Sequence, residues 1–165
     1  AAESYVKRVN AYDAYLAGRV DIRYDFRMNR VVYLIKDGRK TVDAAGRSLA
    51  NIKPKWWRYG NSGSPFTCGD GAVGVILEDC ASACSISNYL SGVALLGTNL
   101  QDSHLPFLRR YNRLIVALDK DATQKAFQLV RQLQAHRPTS LVVLNKDVKD
   151  MTDDERKHTF QKYIN

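Results

Sequence analysis

Short apolar runs that end in acidic residues are the feature that most constrains the fold of this chain. The acids are Glu78 after residues 73–77, Asp119 and Asp121 after residues 114–118, and Asp147 and Asp150 after residues 141–144. A short apolar run of this kind is typical of a buried parallel strand. In open α/β sheets, chemistry gathers at the carboxyl ends of such strands. We therefore expect these carboxylates to meet at one edge of a sheet.

The second part of the chain alternates strand-like and helix-like stretches. Strands are predicted over residues 73–78, 93–96, 113–119 and 140–144. Helices are predicted up to about residue 90, near 103–111, over 122–136 and after Thr152, where Thr152 and Glu155 have the spacing of a capping box. Such alternation indicates a mostly parallel sheet with helices on both faces. Residues 71–165 are therefore predicted to form one α/β domain.

The first 70 residues have a different pattern. A helix is predicted over residues 4–18, and a hairpin over residues 30–45 turns at Asp37-Gly38. Residues 52–71 are rich in glycine and proline, which indicates an irregular junction. We interpret residues 1–70 as a small basic α+β lobe that precedes the α/β domain of residues 71–165.

The acidic residues suit a divalent metal ion. Residues two apart at a strand end point the same way, so Asp119 and Asp121 are predicted to share one Mg²⁺ or Mn²⁺. Asp121 could instead cap the helix that follows it. Glu78 suits a metal ligand or a general acid or base, and its neighbour Asp79 could face the ion or solvent. The spacing favours metal-dependent chemistry on a phosphate backbone.

Basic and aromatic side chains interleave in residues 53–59, Lys-Pro-Lys-Trp-Trp-Arg-Tyr. Cations can follow the phosphates of a single strand while rings stack on its bases. Alternatively, at least one of Trp56 and Trp57 packs in the core. The chain carries 25 Lys and Arg against 17 Asp and Glu, a net charge of +8, which favours a nucleic-acid partner but is also found in ordinary basic proteins.

Two further features bear on where the protein works. No apolar stretch approaches transmembrane length, so no membrane partner is expected. The three cysteines cannot all pair, which favours a reducing compartment.

Taken together, these residues make the chain resemble the catalytic core of DnaG-type primases, including its Toprim domain. The Toprim pattern is a Glu after one strand, Asp-x-Asp after another and an acidic segment after a third. The matching residues are Glu78, Asp119-Lys120-Asp121 and Lys146-Asp147-Val148-Lys149-Asp150, the last in the form found in phage and mitochondrial primase-helicases. Flanking segments are also similar to primases, namely Gly46-Arg47, Pro54-Lys55-Trp56, Asn61-Ser62 and Gly97-Thr98-Asn99.

The resemblance implies metal-dependent, template-directed synthesis of short RNA primers on single-stranded DNA. It implies catalytic roles for Glu78, Asp119 and Asp121, with Mg²⁺ or Mn²⁺ held by these three and by Asp147 and Asp150. Contacts to template or NTP are implied for Arg47, Lys55, Trp56, Asn61 and Lys120. The implied partners are single-stranded DNA, NTPs and a replicative helicase, fused or recruited. The implied setting is phage or plasmid replication, in the cytoplasm at the nucleoid or in an infected host cell.

The chain departs from the family pattern at two places. The family usually has Gly after the Glu and an Asp four residues after it, where this chain has Asp79 and Ser82. The segment between Lys55 and Asn61 is longer than the family pattern leads one to expect. Two other functions therefore stay open: a Toprim nuclease that uses the same acids, and a non-catalytic single-strand-binding replication module.

Overall fold

A computed structural model describes residues 1–164 and contains two β-sheets. Its helices are α1 Ala2–Arg8, α2 Tyr12–Leu16, α3 Cys80–Ile86, α4 Leu105–Leu108, α5 Thr123–Leu133 and α6 Asp153–Phe160. Its strands are β1 Ile22–Asp25, β2 Arg30–Asp37, β3 Lys40–Ser48, β4 Trp56–Arg58, β5 Phe66–Cys68, β6 Val73–Leu77, β7 Ser91–Ala94, β8 Arg113–Val116 and β9 Thr139–Leu141. Among the described residues, no helix combines the length and apolar character that crossing a bilayer requires.

The first sheet is antiparallel, with strand order β1-β2-β3-β4. The predicted hairpin forms with β2 and β3 paired from Asp37 and Lys40 outward. Strand β4 pairs with β3 and closes the sheet with Trp56 opposite Arg47. The expected irregular junction of residues 52–71 is thus partly wrong, because β4 and β5 both lie within it. Backbone pairing overrides the local glycine and proline signal there.

The second sheet has the order β5-β7-β6-β8-β9 and is parallel except for its first strand. Apolar side chains of the sheet point to both faces. One face packs against α3 through residues such as Val75, Leu77 and Ile115, and the other against α4 and α5 through Ile76 and Leu114. The predicted α/β class, a mostly parallel sheet flanked by helices, is confirmed.

The two sheets share one core. The Tyr33 ring of β2 lies 5.7 Å from the Trp56 ring of β4 and 6.0 Å from the Phe66 ring of β5, centroid to centroid. All three residues are aromatic and Tyr33 and Phe66 are fully buried, so this cluster fixes how the first sheet faces the second. The proposed lobe boundary at residue 70 falls after β5, although β5 pairs with the second sheet.

Several predicted elements are shorter or differently divided. The single helix expected over residues 4–18 is two helices, because Asn10 adopts a positive φ of 63° between them. Strands β8 and β9 end at Val116 and Leu141, earlier than predicted. The capping box of α6 is confirmed, since Thr152 and Glu155 exchange side-chain to backbone hydrogen bonds of 2.9 and 3.1 Å.

Candidate functional site

The ends of the parallel strands bring acidic side chains to a cavity between the two sheets. Glu78 directly follows β6, and Asp119 follows β8 by three residues. Together with Asp147, they line a cavity of about 380 Å³. The remaining lining residues are Ala45, Lys55, Trp56, Trp57 and Arg58 from the first sheet and its flanks, and Asp79, Leu96, Gly97 and Lys149 from the second. The cavity therefore has an acidic floor and a basic, aromatic wall.

Glu78 and Asp119 form a closely coupled carboxyl pair. Burial is the main cause that raises the pKa of Glu78, although hydrogen bonds from the Asp119 side chain and backbone oppose the rise. Burial, followed by the nearby charges of Glu78 and Asp147, raises the pKa of Asp119 to about 8. At neutral pH the pair therefore holds a proton that a bound cation would displace.

One oxygen of this pair is left without a protein partner. Glu78 Oε1 is buried and finds no hydrogen-bond donor within residues 1–164. A buried carboxylate oxygen without a donor is costly unless a proton or a cation reaches it. Mg²⁺ is usually held by only one or two carboxylates plus water and phosphate oxygens. The donor set of Glu78 and Asp119, with Asp147 nearby, fits Mg²⁺ or Mn²⁺.

The fit has a limit set by the geometry. Within the described residues, no three side chains of Asp, Glu, His or Cys approach closely enough to form a ready-made metal cage. Asp121 lies in a single 3₁₀ turn, Lys120–Ala122, and is exposed, so it does not share a strand end with Asp119. Asp150 is exposed as well, and neither residue lines the cavity. Their roles as metal ligands stay predictions.

Asp79 serves its own helix and a lysine. Its Oδ1 accepts a hydrogen bond of 2.9 Å from the Ser82 backbone N–H and so caps the start of α3. Its Oδ2 accepts a hydrogen bond of 2.7 Å from Lys149 Nζ. With both oxygens engaged, Asp79 faces away from solvent. Ser82, at the position where the primase pattern has an Asp, is buried in α3.

Lys149 is the cation of the acidic floor. Its Nζ lies 2.7 Å from Asp79 Oδ2 and 3.8 Å from Asp147 Oδ2. Burial by itself lowers the pKa of Lys149, but the carboxylates of Asp79, Asp119 and Asp147 outweigh that effect and raise it. Lys149 is therefore charged and partly neutralises the acids around it.

Two distant residues hold the segment that carries Asp147 and Lys149. The Asn10 side-chain amide donates a hydrogen bond of 2.7 Å to the Lys149 carbonyl. Buried Arg156 donates from Nη1 to the carbonyl of Met151, at 2.5 Å, and to that of Val148, at 3.4 Å. Neither role was predicted from the sequence, and the only signal for Asn10 is that Asn adopts a positive φ more readily than most residues.

The predicted nucleic-acid contacts are spread over a wider area. Lys55 and Trp56 line the cavity. Arg47 is half-buried, with its guanidinium 5.9 Å from the Tyr5 ring and hydrogen-bonded to the Ser48 carbonyl. Asn61 and Lys120 are exposed and lie outside the cavity lining.

A buried acid that sequence analysis missed organises the segment after β4. The Asp43 side chain is completely buried and accepts hydrogen bonds from Arg58 Nε at 2.7 Å and from the Gly60 N–H at 2.8 Å. It also accepts from the backbone and the hydroxyl of Ser62. Burial by itself raises the pKa of Asp43, but hydrogen bonds from Arg58, from the Ala44 N–H and from the Ser62 hydroxyl, that of Arg58 first, lower it below its ordinary value. Residues 58–62 are thus tied to β3 through one carboxylate.

Comparison with known proteins agrees with this geometry. Residues 78–154 match the family model described as Toprim-like, so this part of the chain forms a Toprim-like domain. No curated protein sequence matches the chain significantly.

Solved structures extend the likeness to the first sheet. One is a DnaG primase catalytic domain bound to single-stranded DNA, with a TM-score of 0.63, 21% identity and coverage of 88% of this chain and 55% of that one. The E. coli primase catalytic core has a TM-score of 0.64, 20% identity and coverage of 93% and 59%. A DNA primase domain from Pseudomonas aeruginosa has a TM-score of 0.64, 17% identity and coverage of 92% and 58%.

The class that the fold and the acids define is an α/β protein with a Toprim-like domain. More particularly, the fold of the chain is that of DnaG primase catalytic cores, so the predicted resemblance is confirmed at the level of fold. The chain spans between 55% and 59% of the length of these structures.

Proposed function

We propose that this chain is the catalytic core of a DNA primase, which synthesises short RNA primers on a single-stranded DNA template. The observation that carries the proposal is the half-buried Glu78–Asp119 pair in a cavity whose other wall comes from the basic first sheet. Template and nucleotides must lie next to the acids for such a reaction, and the cavity offers both surfaces in one place.

In this proposal, Glu78, Asp119 and Asp147 hold Mg²⁺ or Mn²⁺, with Asp121 and Asp150 as further ligands when substrate is bound. The ion would neutralise charge on the phosphates of the NTP during transfer. Lys149 keeps the acids close together while they lack a cation, because it pairs with Asp79 and Asp147.

The basic wall binds the substrates. Lys55 and Lys120 provide ammonium groups for template or NTP phosphates, and Arg47 and Asn61 contact the template or the incoming nucleotide. Trp56 positions the wall through its packing on Tyr33. The partners are single-stranded DNA, NTPs and a replicative helicase, fused or recruited, and the setting is the cytoplasm during phage or plasmid replication. One similar solved structure is a DnaG primase catalytic domain bound to single-stranded DNA, which supports the template assignment.

The test is primer synthesis from labelled NTPs on single-stranded DNA with Mg²⁺ or Mn²⁺. We expect short RNA products from the wild type and none from Asp119→Asn, which keeps the shape of the side chain but not its charge. The matched control is Asp70→Asn, an exposed acid near the opposite end of β6, which should retain full activity. RNA synthesis by Asp119→Asn would refute the assignment of the acids.

The second candidate is a non-catalytic single-strand-binding replication module. It is favoured by the absence of a three-ligand cluster within residues 1–164 and by Ser82 at the family's second acidic position. Such a module would bind DNA in EDTA and yield no RNA in the same assay. A Toprim nuclease would instead shorten the DNA without needing NTPs.

A further inference from the structure

The outer face of the first sheet carries two exposed aromatic rings side by side. Trp57 of β4 lies directly opposite Gly46 of β3. Its side chain is therefore on the face of the sheet to which a side chain at position 46 would point. Tyr59 is two residues further on and projects to the same face. The rings are exposed to 43% and 40%, respectively, whereas the neighbouring Trp56 faces the core. A contiguous apolar patch on a protein surface can mark an interaction site.

The Tyr59 ring is held in place by three separate contacts. It lies against the backbone of Gly46, where an added Cβ would stand only 2.9 Å from Tyr59 Cε1. Its hydroxyl donates a hydrogen bond of 2.7 Å to Asp25 Oδ2, at the end of β1. The Tyr59 backbone N–H donates a hydrogen bond of 2.9 Å to the Ala44 carbonyl. A glycine and an acid on two different strands thus fix one exposed ring.

The electronic state of this ring is fixed as well. Burial of the hydroxyl, then its hydrogen bond to Asp25, raises the pKa of Tyr59 to about 12. The ring is therefore neutral and presents an uncharged π-face at any physiological pH. The Asp43 contacts to Gly60 and Ser62 order the chain directly after it. A preordered ring loses little entropy when a ligand stacks on it.

The surroundings of the two rings are basic and lead to the acidic cavity. Lys53 and Lys55 are exposed and precede Trp57, and no described acid pairs with either of them in an ion pair. Lys55 and Trp57 also line the cavity that holds Glu78. A single nucleic-acid strand that lay across the two rings would continue into that cavity.

We propose that Trp57 and Tyr59 form a stacking platform for two bases of the single-stranded DNA that leads into the acidic cavity. Side chains two apart on a strand are about 6–7 Å apart, which two bases of a splayed single strand can span. Exposed aromatic residues on a four-stranded sheet are a recurring means of binding bases, and Lys53 and Lys55 would contact the flanking phosphates. The proposal names the template contact of the proposed function and rests on it for the identity of the strand.

The test measures binding of a fluorescent oligo(dT) to the intact chain in EDTA, by anisotropy, at two salt concentrations. Base stacking is worth about 1–3 kcal/mol per ring, so Trp57→Leu and Tyr59→Leu should each raise Kd by about 5- to 150-fold. The salt dependence of Kd should not change in these variants. In Lys55→Gln, the slope of log Kd against log salt concentration should fall by about one, because one phosphate contact is lost. The matched control is Tyr24→Leu, which removes an exposed ring from the opposite face of the same sheet and should leave Kd unchanged.

Two further oligonucleotides complete the test. An abasic oligonucleotide should bind wild type and Leu variants alike, because it offers phosphates without bases. Oligo(U) should compete more weakly than oligo(dT), and equal or stronger competition would overturn the assignment to the DNA strand. Unchanged Kd in both Leu variants, with melting temperatures equal to wild type, would overturn the platform itself and leave the rings as a surface for another partner.

This experiment is independent of catalysis. Loss of oligo(dT) binding in the Leu variants supports the platform even if the wild type makes no RNA, in which case the proposed synthesis fails and the binding surface stands. Conversely, normal RNA synthesis together with unchanged Kd in the Leu variants would support the proposed function and refute the stacking platform.

Discussion

The two sheets hold their functional residues by different means. In the second sheet, the parallel strands β6 and β8 deliver Glu78 and Asp119 to the cavity through backbone topology alone. In the first sheet, the ordering of Arg58 and Tyr59 depends on two carboxylates, Asp43 and Asp25, that accept hydrogen bonds across strands. The acids should therefore tolerate isosteric changes without loss of fold, while the first sheet should lose structure when one carboxylate is removed.

The largest effect is expected from Glu78→Gln. Synthesis of RNA should fall by at least about a hundredfold, because the variant removes a charge that stabilises the cation in the transition state. Strand topology does not depend on this charge, so the melting temperature at pH 7 should stay within about 2 °C of wild type. Activity is measured by product gels and folding by circular dichroism. Asp70→Asn is the control. An equal loss of activity in Asp70→Asn would contradict a specific role for Glu78.

Asp43→Ala should have the largest effect on stability. It leaves Arg58 Nε and three backbone N–H groups, those of Ala44, Gly60 and Ser62, without their acceptor, at an expected cost of about 2–4 kcal/mol. Chemical denaturation measures this cost. The matched control is Asp37→Ala, whose partner Arg110 is exposed and whose ion pair is worth about 1 kcal/mol or less. Equal losses in the two variants would contradict the importance of the buried network.

Asn10→Gly tests the anchor of the Asp147 segment. Glycine accepts the φ of 63°, so the change keeps this backbone conformation accessible and removes the amide that binds the carbonyls of Lys149 and Met151. We expect a roughly tenfold loss of RNA synthesis, because side chains that orient metal ligands commonly contribute ~10–100-fold. Asn29→Gly, at a second positive φ of 54° far along the first sheet, is the control. If both variants lose activity equally, backbone flexibility and not the anchor explains the loss.

A smaller effect is expected from pH. The pKa of Asp119 is about 8 in the folded chain, above its ordinary value of 3.8, so the folded state binds the proton more tightly than the unfolded state. The stability that this proton contributes is complete below the ordinary pKa and is lost as pH rises through about 8. In EDTA, the melting temperature of wild type should therefore fall relative to Asp119→Asn between pH 6 and pH 9. Parallel curves for the two proteins would contradict a shared proton at the pair.

The strand-end acids were predictable because hydrophobic runs mark strands and parallel strands bring their carboxyl ends together. The sequence could not place Asp121, because whether β8 continues or turns after Val116 depends on packing and not on local pattern. The split of the first helix at Asn10 and the pairing of β4 were missed for the same reason. Asp43 was hidden because an acid in an alternating strand is usually solvated, and only the fold shows that this one is buried.

The most direct test of the acidic site is a titration with Mn²⁺, followed by the electron spin resonance of the free ion, at pH 8.5 without nucleotide or DNA. The geometry predicts that wild type and Asp70→Asn bind Mn²⁺ alike, whereas Glu78→Gln and Asp119→Asn bind it at least about tenfold more weakly. Equal Mn²⁺ affinity in all four proteins would show that the strand-end carboxyl pair is not a metal site.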